Sequence, residues 1–249
     1  MQEMKQRIRQ DFNKASVSYD KYARLQQQVA ARVFVLALEM LHTKSQVLDV
    51  GCGTGYIAQH AAKLWQMFQC DLAESMCEKA LHLAPAVAAD AESLPFADNT
   101  LDGVLSSLTL QWVSPVPAFS EIRRVLKPNG LMIASTLGEN TLHELRKSFA
   151  AAVGVAPVMN FYTADKLSAA CKESGLHLEE FFDELVIHDY EDIFTLLASI
   201  KGIGGRYKSG TGRAGVSRRY FEALAEAYIK FFGKISATWE VQYIIARKR

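Results

Sequence analysis

The chain has 249 residues, 49% of them hydrophobic, which suffices for one large α/β domain with a full core. Its formal net charge is +1, so the totals give no reason to expect nucleic acid or an anionic membrane, and any basic site must be local. No apolar run approaches the roughly 18 residues that a membrane span requires. Cys52, Cys70, Cys77 and Cys171 form neither a C-x-x-C pair nor a metal-ligand spacing, and the opening MQEMKQRIRQDF is charged with no apolar centre. These features predict a soluble, cytoplasmic protein that holds no metal.

Residues 1–44 read as an N-terminal helical lid, with Val29, Val33, Leu36, Leu38 and Leu41 recurring near helical spacing before the break at Thr43 to Ser45. From Gln46 the pattern changes to short apolar runs, QVLDV, QMFQCDL, AVAAD, LDGVLSSL and GLMIAST, each followed by a helix-compatible stretch. That alternation predicts a parallel sheet covered on both faces, within a core of residues 45–160. Pro128, Asn129 and Gly130 are expected to stop the helix IRRVLK and turn the chain into the fifth strand. Residues 161–249 read as a cap with the last strands. Thr163 can cap a helix through Cys171, Leu176 to Tyr190 has strand character, and Asp192 to Ile200 looks helical. A glycine-rich basic stretch follows, then a helix from about Val216 to Phe232, and TWEVQYIIARKR as a final strand.

The segment VLDVGCGTG places Gly51, Gly53 and Gly55 where the first strand ends and a helix begins. Such glycines let the backbone turn sharply and approach a ligand closely. Their even spacing lacks the G-x-G-x-x-G of a dinucleotide site, and the loop has no lysine for a nucleoside triphosphate. A ligand with an adenosine and no phosphates remains. Asp49 ends the first strand, where a carboxylate can hold loop amides or receive an ammonium. Asp71 ends the second, about twenty residues past the loop, at the distance from which an acid reaches a ribose. Asp90, beside Ala91, ends the third and can accept from an adenine amino group. Any one of these aspartates is equally suited to a helix cap or a turn. Together with the loop they predict a nucleoside site.

These residues resemble the class I methyltransferases, over the whole chain. The resemblance implies a Rossmann-like α/β fold with a seven-stranded, mostly parallel sheet, and S-adenosylmethionine as cofactor. Asp49, Gly51, Gly53 and Gly55 would then cradle its methionine part and Asp71 its ribose. Asp90, Ala91 and Glu92 would flank the adenine, Leu72 and Met76 would pack on it, and Ser107 and Leu108 would close the pocket near the sulfonium. Four segments are more specific: FNKASVSYDKYARLQ, SSLTLQWV, STLGENTLHELRKSF and SIKGIGG resemble the malonyl-acyl-carrier-protein O-methyltransferases of biotin synthesis. Ser107, CDLAESM and Gly205 depart from that family's usual asparagine, D-L-S-P-x-M and alanine. Trans-aconitate methyltransferases share the Q-W element, and mitochondrial complex I assembly factors are similar through the L-x-W and T-L-x-E-L-R segments.

A malonyl carboxylate is already ionised and nucleophilic, so methylating it asks for alignment and desolvation, with no histidine base. A buried anion asks for a cation. Arg124, which matches a family arginine, and Lys201, which opens K-G-I-G, are the candidates, although either also suits a solvated helix surface. Tyr19 would close over the pocket and orient the acceptor, or simply pack; Gln111 and Trp112 would line its channel or the core. Lys201, Arg206, Lys208, Arg213, Arg218 and Arg219 follow one another with no Asp or Glu among them. That stretch would suit docking of an acidic acyl carrier protein, or be a solvated loop. With only Tyr207 and Tyr220 there for stacking, nucleic acid is not expected.

Overall fold

The computed structural model describes residues 2–154, 158–204 and 218–249, without the side chains of Val153 and Arg218. In chain order the elements are α1 (Gln2–Ala15), α2 (Tyr19–Tyr22), α3 (Arg24–Met40), β1 (Gln46–Val50), α4 (Tyr56–Ala61), β2 (Gln66–Asp71), α5 (Glu74–Ala80) and β3 (Ala86–Ala88). Then come β4 (Leu101–Ser106), α6 (Pro115–Val125), β5 (Leu126–Leu137), α7 (His143–Val153), α8 (Ala164–Glu173), β6 (Leu176–Asp189), α9 (Ile193–Gly202), α10 (Arg218–Phe232) and β7 (Ser236–Lys248).

The sheet has seven strands in the order β3-β2-β1-β4-β5-β7-β6. The first five are parallel, and β7 runs antiparallel between β5 and β6. The expected α/β architecture is therefore present. Its continuous apolar runs follow from burial on both faces, because successive residues of a strand point to opposite sides. Val47, Leu105, Leu131 and Ile133 join a core with α3, α4, α7, α9 and α10. Their neighbours Leu48, Val104, Met132 and Ala134 join a second core with α6 and α8. Helix α3 presents Leu25, Val29, Val33 and Leu36 to the first core at spacings of three and four, each worth about 1.5–3 kcal/mol on burial.

Two local expectations need adjustment. The third strand is only Ala86–Ala88, and Asp90 follows it in an isolated bridge to Ser93. Strand β5 begins at Leu126, before Pro128: its register on β4 jumps from Leu101↔Leu126 to Gly103↔Leu131. The Pro128-Asn129-Gly130 turn is looped out at that jump, with Asn129 at φ 64°. Thr163 caps α8 by accepting from the Lys166 amide, as expected.

The order β2-β1-β4 reverses the chain's direction of travel across the sheet at β1. A crevice opens outside the carboxyl ends of strands at such a switch point.

Candidate active site

The loop after β1 is built for close approach. Gly51, Gly53 and Gly55 have φ of 74°, 53° and 90°, a region that side chains other than glycine seldom adopt. A Cβ on Gly51 would lie 1.9 Å from the Thr109 Oγ1, whereas at Gly53 the nearest atom is a Tyr19 ring carbon 3.8 Å away. Gly51 and Gly53 therefore line the crevice, and Gly55 does not. A Cβ at Gly55 would meet Leu83 and Gln69, so this glycine serves the turn into α4.

Asp71, rather than Asp49, holds the loop. Its Oδ2 accepts from the Gly53 amide at 3.0 Å and its Oδ1 from the Ala73 amide at 2.9 Å, and the carboxylate also lines the crevice. Asp49 is 2% exposed, and its carboxylate accepts no hydrogen bond from any described residue. Burial first, and the nearby Asp71 second, push its carboxyl up to about 8. A buried carboxylate in that position calls for a cationic ligand group.

Farther along, Leu72, Met76, Ala91 and Leu108 supply apolar wall, and the Ser107 Oγ is buried with no hydrogen-bond partner. Asp90 and Glu92 both take Lys5 of α1, at 2.6 and 2.7 Å. Burial alone would lower the Lys5 pKa, but the two carboxylates outweigh it and raise it. Neither Lys5 nor its neighbours Ile8 and Phe12 were expected here, because the sequence of a surface helix does not reveal what it covers. Arg9 and Asn13 tie the same helix to Glu74, and Asn13 also accepts from the Ser75 amide. The cleft so enclosed has about 690 Å³ of atom-free space, counted to its open mouth.

Tyr19 stands at a junction. It lines the cleft, the recess at Asp49, and a third chamber walled by Phe12, Leu108, Trp112, Leu142 and Ile203 among others. Burial, then Asp71 and Asp20, raise its phenol well above the usual range, so it stays neutral. Phe12 meets Trp112 edge to face at 5.5 Å on the same wall. Gln111 lines the chamber as expected, with its amide engaged: it donates to the Leu108 carbonyl and accepts from the Thr136 hydroxyl.

Arg124 departs from expectation. Its five N–H groups meet five acceptors: both Glu121 oxygens, Asp98, and the Leu94 and Phe96 carbonyls. Nothing is left to hold a ligand, and Arg124 lines none of the three cavities. Lys201 is exposed at the end of α9, while Ile200 and Ile203 on either side face the chamber. The glycines of K-G-I-G serve packing. A Cβ on Gly202 would strike the Tyr22 ring at 2.2 Å, and one on Gly204 would press on Phe12 at 3.1 Å. Of the basic stretch, Arg206, Lys208 and Arg213 lie outside the described residues, and Arg219 is exposed. Among the described residues no three of His, Cys, Asp and Glu are grouped to hold a metal ion, and no helix is long and apolar enough to cross a membrane.

The cleft fits S-adenosylmethionine on its own chemistry. It offers a glycine cradle, an orphaned serine hydroxyl and apolar walls leading to Asp90, and the recess that adjoins it at Gly51 and Gly53 holds the unpartnered Asp49 carboxylate for an ammonium. A methyltransferase domain model matches residues 48–134, the segment that carries all of these. The chain is 33% identical to a malonyl-[acyl-carrier protein] O-methyltransferase of Geobacter sulfurreducens, covering 98% of this chain and 99% of that one. It is 32% identical to the biotin biosynthesis bifunctional protein BioHC of Teredinibacter turnerae over its whole length, but spans about half of that relative, 48%. It is also 34% identical to the mitochondrial arginine-hydroxylase NDUFAF5 of Mus musculus, over 92% of this chain and 71% of that one. Among solved structures, a methyltransferase of Bacillus halodurans superposes with a TM-score of 0.64 at 18% identity, covering 88% of this chain and 98% of the other, which speaks for the fold. The chain belongs to the S-adenosylmethionine-dependent methyltransferase family that contains the malonyl-[acyl-carrier protein] O-methyltransferases.

Proposed function

We propose that the chain transfers a methyl group from S-adenosylmethionine to the free carboxylate of a malonyl thioester carried on acyl carrier protein, in a cytoplasmic setting. The observation that carries this reading is the apolar chamber opening off the donor cleft at Tyr19, in a chain 33% identical over nearly all of both lengths to a protein of that activity. The cofactor supplies a methyl on a sulfonium, an electrophile that brings its own positive charge. The chamber's described lining holds no Lys or Arg. A carboxylate entering it is therefore drawn to the donor end, where the sulfonium carries its positive charge.

The protein's residues have positional duties. Asp49 takes the ammonium, Asp71 stiffens the loop while facing the ribose, and Asp90 with Ala91 and Glu92 meets the adenine. Leu72 and Met76 pack on the ring, and Ser107 and Leu108 close the sulfonium end. Tyr19, neutral and half-buried, orients the acceptor at the opening between cleft and chamber. Phe12 and Trp112 exclude water, which leaves the carboxylate poorly solvated and more nucleophilic. Lys201 and Arg219, with the cations between them, steer the acidic carrier.

The test is methyl-ester formation from labelled S-adenosylmethionine with malonyl-carrier, malonyl-coenzyme A or trans-aconitate. A malonyl ester is the expected product, and an ester on trans-aconitate alone overturns the reading. The likeness to the arginine-hydroxylase gives a competing one, in which no small carboxylate is methylated and an arginine is the group acted on. Replacing Arg213, Arg218 and Arg219 with glutamate should weaken methylation of malonyl-carrier far more than that of malonyl-coenzyme A, and equal losses dismiss the docking face.

A further inference from the structure

The acceptor chamber contains a hydrogen-bond donor that the fold leaves unused. Trp239 lines the chamber and is 4% exposed, yet its Nε1–H is buried without a partner. An indole N–H only donates, and leaving one unsatisfied in an apolar setting costs roughly 1–3 kcal/mol. No acceptor among the described lining, the Tyr19 hydroxyl and Gln26 amide included, is bonded to it. Leu137, Leu145 and Phe161 are apolar, and the Gln111 amide is engaged at both ends. Gln26, on α3, shares the predicament: it lines the chamber with its Oε1 buried and unpartnered.

The backbone around Trp239 is held firmly. In β7 it pairs with Val186 of β6, and its side chain joins the same core as Val241, Tyr243 and Ile245. The preceding Thr238 is clamped on three sides. Its amide donates to the Glu144 Oε2 at 3.1 Å, its hydroxyl to the Glu144 Oε1, and its carbonyl accepts from the Leu142 amide at 2.7 Å. A donor on a strand secured in this way is placed with the accuracy that substrate alignment needs.

We infer that Trp239 binds the acceptor, its indole N–H donating a hydrogen bond to a carbonyl or carboxylate oxygen, and that this neutral donor does the aligning work that Arg124 cannot do. The inference rests on the malonyl reading only for the acceptor's identity. An oxygen is required because an N–H donor needs an acceptor atom, and the apolar walls suit the short aliphatic and thioester portion beside it.

The experiment uses the full chain saturated with S-adenosylhomocysteine and labelled with nitrogen-15 at its three tryptophan indoles, Trp65, Trp112 and Trp239. Trp239→Phe assigns the Trp239 cross-peak by its loss. Malonyl-coenzyme A, malonyl-carrier and trans-aconitate are then added in turn. The Trp239 indole proton is expected to move downfield with whichever acceptor the enzyme methylates. Trp239→Phe is expected to lose about 10- to 100-fold in kcat/KM while its donor affinity and melting temperature stay at parental values. A cross-peak that stays in place with all three acceptors, or a Trp239→Phe enzyme with parental kcat/KM, overturns the inference. Should Trp239→Phe fail to fold, Trp239→His serves for assignment and the parental titration decides. If no malonyl thioester is methylated but the cross-peak moves with trans-aconitate, the malonyl reading falls and the role of Trp239 stands.

Discussion

The donor cleft and the acceptor chamber share Phe12, Tyr19, Leu108 and Trp112, yet away from that seam they are made of different material. On its loop side the cleft is backbone and carboxylate: loop amides, the left-handed Gly51 and Gly53, and the aspartates that follow neighbouring strands. The chamber is side chains from distant parts of the chain, with Phe12 from α1, Leu108 from the end of β4, Ile203 from after α9 and Trp239 from β7. The lesson concerns tolerance. A site made from backbone geometry fails sharply when a single atom is added, whereas a site made from packed side chains fails by degrees.

The sharpest way to break that contrast is Gly51→Ala. The new methyl would overlap Thr109 at a φ of 74°, so donor affinity should fall by at least about 100-fold, seen as loss of calorimetric binding of S-adenosylhomocysteine. A variant that still binds the donor would show the loop to be pliable. Next in size is Arg124→Met, which leaves Glu121 with only the Leu94 amide and orphans the Leu94 and Phe96 carbonyls. It should lower stability by about 1–3 kcal/mol in thermal melts, discounted for partial exposure, while KM for the acceptor stays unchanged below the transition. A raised KM would return Arg124 to the acceptor site.

Asp49 sharpens the electrostatic side. Its carboxyl titrates near 8 in the fold against 3.8 when free, so the unfolded chain ionises first and parental stability declines as pH rises between those values. Asp49→Asn should flatten that decline. An ammonium ligand favours the ionised form, so donor binding near pH 7 should release a proton and tighten up to about pH 8. Calorimetry in two buffers of different ionisation enthalpy measures the release, and its absence would remove Asp49 from the ammonium. The smallest effect belongs to Lys5→Ala. Its partly exposed ion pairs are worth about 1 kcal/mol, which should speed donor release only by about fivefold in stopped flow, and less at high salt.

The same contrast governs what the sequence reveals. Glycines and aspartates that end apolar runs are marked by the strand pattern itself, so Asp49, Gly51, Gly53, Asp71 and Asp90 were legible as a group at one edge of the sheet. The division of labour between Asp49 and Asp71 was not, because it depends on which carboxylate reaches the Gly53 amide across two strands. Arg124 misled for a similar reason: a motif preserves its identity but says nothing of the Glu121 and Asp98 that surround it. Trp239 and Gln26 carry no local signature at all, since an unpaired donor exists only once its neighbours are known. The K-G-I-G glycines stand between these extremes. They were recognisable as a motif, but their physical reason is the approach of Tyr22 and Phe12 from the other end of the chain.

Helix α1 lays Lys5 over the Asp90 and Glu92 carboxylates and contributes Phe12 to the wall shared with the neighbouring chamber. It cannot lift from one ligand without uncovering the other. On the proposed function, occupancy of the two compartments would be interdependent through a shared cover, and spent nucleoside and finished ester would leave by the same opening.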